Sequence, residues 1–233
     1  MKYQRALKGL GAPVDVITED RNFAEYRFLV APAYQLADAA LVKRWTQYVE
    51  NGGHLILSAR TATKDRNGHL WEGAWAEPIR ALIGADIPYY DVLPAPHVGR
   101  VRSEIGGAVH EWYAWGEVIA PSSGARVLAK YTDQFYAGSA AAIGRKVGSG
   151  TVTYIGVETT SGNLEKEIVR RVFIDAGVQI EDYPDQLLVD WRDGFWIASN
   201  FSSDDQEVPA PRGATLIVGA RRLPPAGVAI WRE

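Results

Sequence analysis

The sequence predicts an α/β protein: a doubly wound sheet with helices against it, then a small all-β region. Three observations carry that prediction. Short, branched-rich apolar runs alternate with helix-periodic segments through the first part of the chain. The run HLILSA, His54 to Ala59, is nearly continuous in apolar residues, as in a strand buried on both faces of a parallel sheet. After QIEDYPDQ, Gln179 to Gln186, helix signals stop and only turns and short strand-like runs follow.

The chain opens on MKYQRALKGLG, where Tyr3, Leu7 and Leu10 share one helical face and Gly11 supplies a stop. Met1 is the only methionine, and the segment reads as the last turns of a helix. We therefore expect a piece of a longer protein, cut near a domain boundary. Pro13–Ile17 and Tyr26–Pro32 are expected strands. Asp38 is a plausible N-cap for a helix to Asn51, with Leu41, Val42, Trp45, Tyr48 and Val49 on its apolar face and Gly52-Gly53 ending it. The strand from His54 follows. Helix, strand, strand, helix, strand in this order is a flavodoxin-like pattern.

Glu77–Gly84 reads as a short helix with Pro78 in its first turn. Strand-like runs come next at 85–93, 99–105, 110–120 and 125–132, and a hairpin over 139–157 turns at Gly148-Ser149-Gly150. Asn163–Gly177 has an Asn cap, acids in its first turn and a closing Gly, and should bury Leu164, Ile168, Val172 and Phe173. Leu187–Ser202 is a hairpin with an Asp193-Gly194 turn. Short strands are expected at 207–211, 214–220 and 227–233. We place the domain boundary near Tyr183, giving an α/β domain over 1–182 and a small β domain over 183–233.

Composition narrows the function. A formal net charge of -3 without a block of like charge argues against a nucleic-acid partner. No apolar run approaches the ~18 residues that would cross a bilayer, so no membrane partner is expected. Zero Cys removes disulfides, thiolate ligands and Cys nucleophiles together, and is compatible with a reducing, cytoplasmic compartment.

No catalytic pattern in the sequence is complete. Ser58 ends a strand, but Ile56-Leu57-Ser58-Ala59-Arg60 lacks the glycines of a nucleophile elbow and no helix follows at once. The glycines of GRKVGSGTVTYIG precede a strand, where a dinucleotide fingerprint needs a helix. His54, His69, His97 and His110 are far apart in sequence and lack i, i+4 zinc spacing. Acid pairs such as Glu181-Asp182 and Asp204-Asp205 read as solvated turns. No catalytic residue, cofactor or metal site is expected.

The stretch that invites a functional reading is the polar loop after His54–Ala59, because ligands gather beyond the carboxyl ends of strands in open α/β sheets. It carries Arg60, Lys64, Asp65, Arg66, Asn67, His69, Trp71 and Glu72. Trp71, Trp75, Trp112 and Trp115 are harder to assign to a core than Trp45, Trp191, Trp196 and Trp231, which fit periodic apolar positions. Exposed aromatics enrich sugar sites and protein interfaces alike.

Together the segments resemble the C-terminal half of family 42 glycoside hydrolases, bacterial β-galactosidases. The resemblance runs through YQRALKGLGAPVDVI, YRFLVAPAYQLADAALVKRWTQYVENGGHLILSARTATKDRNGHLWEG and PIRALIGADIPYYDVLP. It resumes at AKYTDQFYAGSAAAIGRKVGSGTVTYIGV and FIDAGV, and ends in LLVDWRDGFWIASNFSSDDQEV. His97–Ser123 matches little. The resemblance implies a flavodoxin-like trimerisation domain, related in fold to class I glutamine amidotransferases without their activity, then a small C-terminal β domain. It also implies that both catalytic glutamates lie in an N-terminal (β/α)₈ barrel outside this sequence, so no residue is carried over as acid or nucleophile.

The expected function is thus the non-catalytic assembly portion of a β-galactosidase: a homo-oligomer, trimeric in the full-length enzyme, meeting galactosides only through that enzyme. The polar loop is expected to contact protein or flank the sugar entrance. The alternative is a free-standing carbohydrate-binding module using exposed Trp. An amidotransferase-like hydrolase would need a Cys nucleophile, or Ser58 in its place.

Overall fold

The computed structural model describes residues 2–184 and 186–232. The helices are α1 (Lys2–Lys8), α2 (Ala39–Glu50), α3 (Arg80–Ile83) and α4 (Asn163–Asp175). Before α4 come β1 (Phe28–Ala31), β2 (His54–Ser58), β3 (Ala85–Asp91), β4 (Gly99–Ser103), β5 (Val109–Pro121), β6 (Arg126–Tyr131), β7 (Ala140–Val147), β8 (Gly150–Ile155) and β9 (Val157–Thr159). After it come β10 (Leu187–Arg192), β11 (Phe195–Asn200), β12 (Gln206–Glu207), β13 (Thr215–Val218), β14 (Arg222–Leu223) and β15 (Val228–Arg232). The chain divides into two compact units, residues 17–168 and the remainder.

In the larger unit one sheet runs in the order β1-β2-β8-β7-β6-β4-β5-β3, with β9 on β5. Only the β1–β2 and β2–β8 pairings are parallel; the other ladders are antiparallel. The α/β pattern of the sequence is therefore present, its parallel part confined to the strands that flank α2. A further pairing, Ile119 with Ala140, joins β5 to β7 and closes β4, β5, β6 and β7 on themselves. The region 97–123, which matched little in sequence, is the β4–β5 part of this closure.

α2 forms where its cap and face predict. The Asp38 carboxylate accepts the Leu41 N–H at 2.8 Å, and Leu41, Trp45, Tyr48 and Val49 are buried. They share a core with Leu55 and Leu57 of β2 and Val152 and Tyr154 of β8. Where β4 passes β5, Gly99 is required by close approach: a Cβ there would stand 2.5 Å from the indole nitrogen of Trp112, which is fully buried.

Pro13–Ile17, an expected strand, joins no ladder among the described residues: residues 12–18 take no regular form. Pro13 has no N–H to give to a ladder and Val16 is 94% exposed, so the run has neither the hydrogen bonds nor the burial a strand needs. The hairpin between β7 and β8 pairs Val147 with Gly150, leaving a two-residue turn, Gly148-Ser149, one residue shorter than expected.

The smaller unit holds a four-stranded antiparallel sheet, β10-β11-β15-β13, and a β12–β14 ladder. Asp193 and Gly194 both have positive φ, 50° and 88°, as a type I′ turn demands. Leu187, Val189, Ala198, Val208, Leu223, Ala229 and Trp231 form the core. Buried Asn200 ties it together, its Nδ2 donating to the carbonyls of Asp204 (2.7 Å), Pro224 (3.0 Å) and Leu223 (3.1 Å). α1 belongs to this unit. Its Lys8, almost fully buried, meets the Asp190 carboxylate of β10 at 2.6 Å. Ala6 and Leu10 are buried, whereas Tyr3 and Leu7 of the expected face are only partly so.

Candidate functional site

The loop after β2 is held from below. Ser58 Oγ accepts the Ala33 N–H at 2.8 Å, and the Thr61 and Thr63 hydroxyls donate back to the carbonyls of Ser58 and Arg60. Backbone bonds from Ala62 to Tyr34, Lys64 to Gln35 and Ala37 to Lys64 stitch the loop to the segment after β1. Arg60 and Ala62 have φ of 69° and 55°, left-handed conformations that a non-glycine residue adopts only when its surroundings impose them.

Two of the loop's charges organise its shape. Asp65 accepts the N–H groups of Asn67 (2.8 Å) and His69 (2.9 Å), and the His69 bond foremost holds its pKa below the ordinary carboxylate range. Arg66 bonds Asp38 at 2.8 Å and Glu19 at 3.0 Å; the Asp38 bond, then the Glu19 bond, keep the guanidinium firmly charged. Glu19 in turn accepts the Tyr34 hydroxyl, and that bond, then the one from Arg66, holds its pKa below the ordinary carboxylate range.

The other loop residues face outward. Arg60, Asn67, His69 and Glu72 are exposed, and Lys64 and Trp71 are half-buried. The Trp71 indole nitrogen is itself buried, with no acceptor among the described residues.

At the base of the loop lies a residue that sequence reasoning missed. Glu117 of β5 is fully buried. Its Oε1 accepts the Trp75 indole N–H (2.8 Å), the Arg60 backbone N–H (2.9 Å) and the Trp115 indole N–H (3.2 Å). Its Oε2 accepts the Tyr154 hydroxyl of β8. No cation pairs with it among the described residues. Burial pushes its pKa up, against the opposing pull of the Tyr154, Trp75, Arg60 and Trp115 bonds. The sequence does hold a signal: an acid inside the apolar run WGEVIA, in a strand where residues 116–119 are all buried.

Above Glu117 sits an aromatic stack. Tyr90 lies on Trp115 with centroids 4.2 Å apart and planes at 16°, and Trp75 packs against both, at 4.7 and 5.7 Å. The Arg60 guanidinium lies 5.0 Å over Trp115.

Of the remaining tryptophans, Trp45, Trp112 and Trp231 are buried in cores. Trp191, Trp196 and Trp231 form one cross-strand row, and Trp191 at its end is 47% exposed. The histidines are dispersed: His54 bonds Thr151 Oγ at 2.8 Å, and His110 stands 3.6 Å from Glu167. Among the described residues no three His, Asp or Glu are grouped to hold a metal, and no helix is long and apolar enough to cross a membrane.

Known proteins similar to this chain agree on its family. Residues 1–179 match the family described as the β-galactosidase trimerisation domain, and residues 189–233 the β-galactosidase C-terminal domain. The β-galactosidase BgaH of Haloferax lucentense is 33% identical over 93% of this chain and 32% of its own length. The β-galactosidase BglY of Alicyclobacillus acidocaldarius is 29% identical over 99% of this chain and 36% of its own. The solved β-galactosidase of the haloarchaeon Halorubrum lacusprofundi superposes on the whole chain with a TM-score of 0.88 at 27% identity, using 35% of its own chain. The chain thus spans about a third of the length of these relatives. Over most of its length it belongs to the β-galactosidase trimerisation-domain family, continued by the C-terminal domain of the same enzymes.

Proposed function

We propose that this chain is the non-catalytic assembly portion of a β-galactosidase of glycoside hydrolase family 42, which joins subunits into a trimer and flanks the entrance to an active site carried elsewhere in the longer protein. The observation that carries the reading is the match of residues 1–179 to a trimerisation domain, in a chain a third as long as its relatives. The loop beyond β2 is the contact surface in this reading. Asp65 and Arg66 set its shape; Arg60, Lys64, Asn67, His69, Trp71 and Glu72 supply its contacts. We keep the boundary near Tyr183, supported by the gap between residues 179 and 189 in the family matches.

The stacked tryptophans weigh against a free-standing sugar-binding module. A sugar platform needs an open aromatic face, whereas Trp115 is stacked by Tyr90 and approached by the Arg60 guanidinium at 5.0 Å. The test is to assay the chain alone against a chromogenic β-galactoside and to titrate it with galactose while following Trp fluorescence. We expect neither hydrolysis nor a saturable change. Turnover would overturn the non-catalytic assignment, and saturable binding would favour the sugar-binding module.

A further inference from the structure

We propose that Arg60, its guanidinium over Trp115 and its backbone N–H held by Glu117, is a preformed receptor for a carboxylate presented by a second copy of this chain. The proposal rests on the assembly reading above and gives it a specific contact.

The geometry leaves Arg60 one free function. Its backbone N–H is bound by Glu117 and one face of its guanidinium lies over Trp115. Among the described residues no acceptor meets the guanidinium N–H groups, and the residue is exposed. A planar fork of donors so placed suits a carboxylate, which it can hold through two parallel bonds. Little freedom remains to be lost on binding: the strained φ of 69° is imposed by the loop, and the side chain rests on a ring itself wedged by Tyr90 and Trp75.

The same geometry excludes other occupants. A sugar or nucleobase stacking on Trp115 would compete with Tyr90 and with the Arg60 guanidinium. The buried carboxylate of Glu117 has donors on both oxygens and offers nothing to a ligand. The second copy is favoured because residues 1–179 match a family of trimerisation domains. Glu72 and Glu111 are exposed and able to serve as the carboxylate.

The test is sedimentation velocity on the whole chain over a concentration series, with Arg60→Gln, Arg60→Lys and Glu117→Gln beside the wild type. Near-ultraviolet circular dichroism would verify that the Trp stack persists. We expect a wild-type trimer, an assembly constant weakened about tenfold or more in Arg60→Gln, and incomplete rescue by Arg60→Lys, which keeps the charge without the fork. Glu117→Gln keeps an oxygen for the clamp and should assemble as wild type. Raising salt to about 1 M should weaken the wild type and narrow its gap to Arg60→Gln. A wild-type trimer matched by Arg60→Gln at every salt would overturn the carboxylate receptor alone. A wild type monomeric at every concentration would overturn the assembly reading and the receptor with it. Should Arg60→Gln lose the near-ultraviolet signal, Arg60→Lys decides: full wild-type affinity there contradicts a role for the fork.

Discussion

Glu117 shows how one side chain organises a site without touching a ligand. Removing a carboxylate from water is costly, and here four neutral donors offset the cost where no cation does. Its pKa is raised in the folded chain, so the ionised form is the one folding disfavours. The stability it contributes is fully present below the unfolded-state pKa and is lost as pH rises through the folded-state pKa. Glu117→Gln should therefore gain stability relative to wild type across that window, measured as the difference between their urea midpoints at several pH values. A difference that does not change with pH would contradict this. Glu117→Ala leaves the Arg60, Trp75 and Trp115 N–H groups without their acceptor and should cost roughly 2–4 kcal/mol in the same experiment. Glu19 and Asp38 act oppositely: their pKa values are lowered by Tyr34 and by Arg66, and their contributions disappear in acid.

At the scale of elements, local chemistry decides whether the sequence is readable. α2 is legible because its cap, face and stop lie within one stretch. Asp38→Ala should lower stability by about 1 kcal/mol through the lost cap, and by somewhat more if release of Arg66 loosens the loop; thermal melts of Asp38→Ala and Arg66→Ala separate the two. The β10–β11 hairpin is legible for the same reason, through Asp193-Gly194. Pro13–Ile17 misleads because branched residues look alike in a strand and in an extended surface run, and only a pairing partner distinguishes them. Asn200→Ala should destabilise the smaller unit by roughly 1–3 kcal/mol, by leaving the buried Leu223 carbonyl without a donor and removing the bonds to Asp204 and Pro224. Hydrogen exchange should then show faster opening at β11 and β15. Glu117 could not be placed from its neighbours in sequence. Its partners come from β8, from the loop beyond β2 and from Trp75, brought together only when the sheet closes. The loop beyond β2 is visible in the sequence as a cluster of charge, but which charges are spent internally is a fact of three dimensions.

At the scale of the whole molecule, the chain combines a match to a trimerisation-domain family with a loop whose shape is fixed from within and whose Arg60, Asn67, His69 and Glu72 are exposed. That division of labour is what an interface needs: rigid support beneath, complementary chemistry above. The central claim is that this portion assembles. Static light scattering on the eluting chain, followed through a dilution series, tests it most directly. The account predicts three chain masses at high concentration, falling toward one on dilution; one chain mass throughout would contradict it.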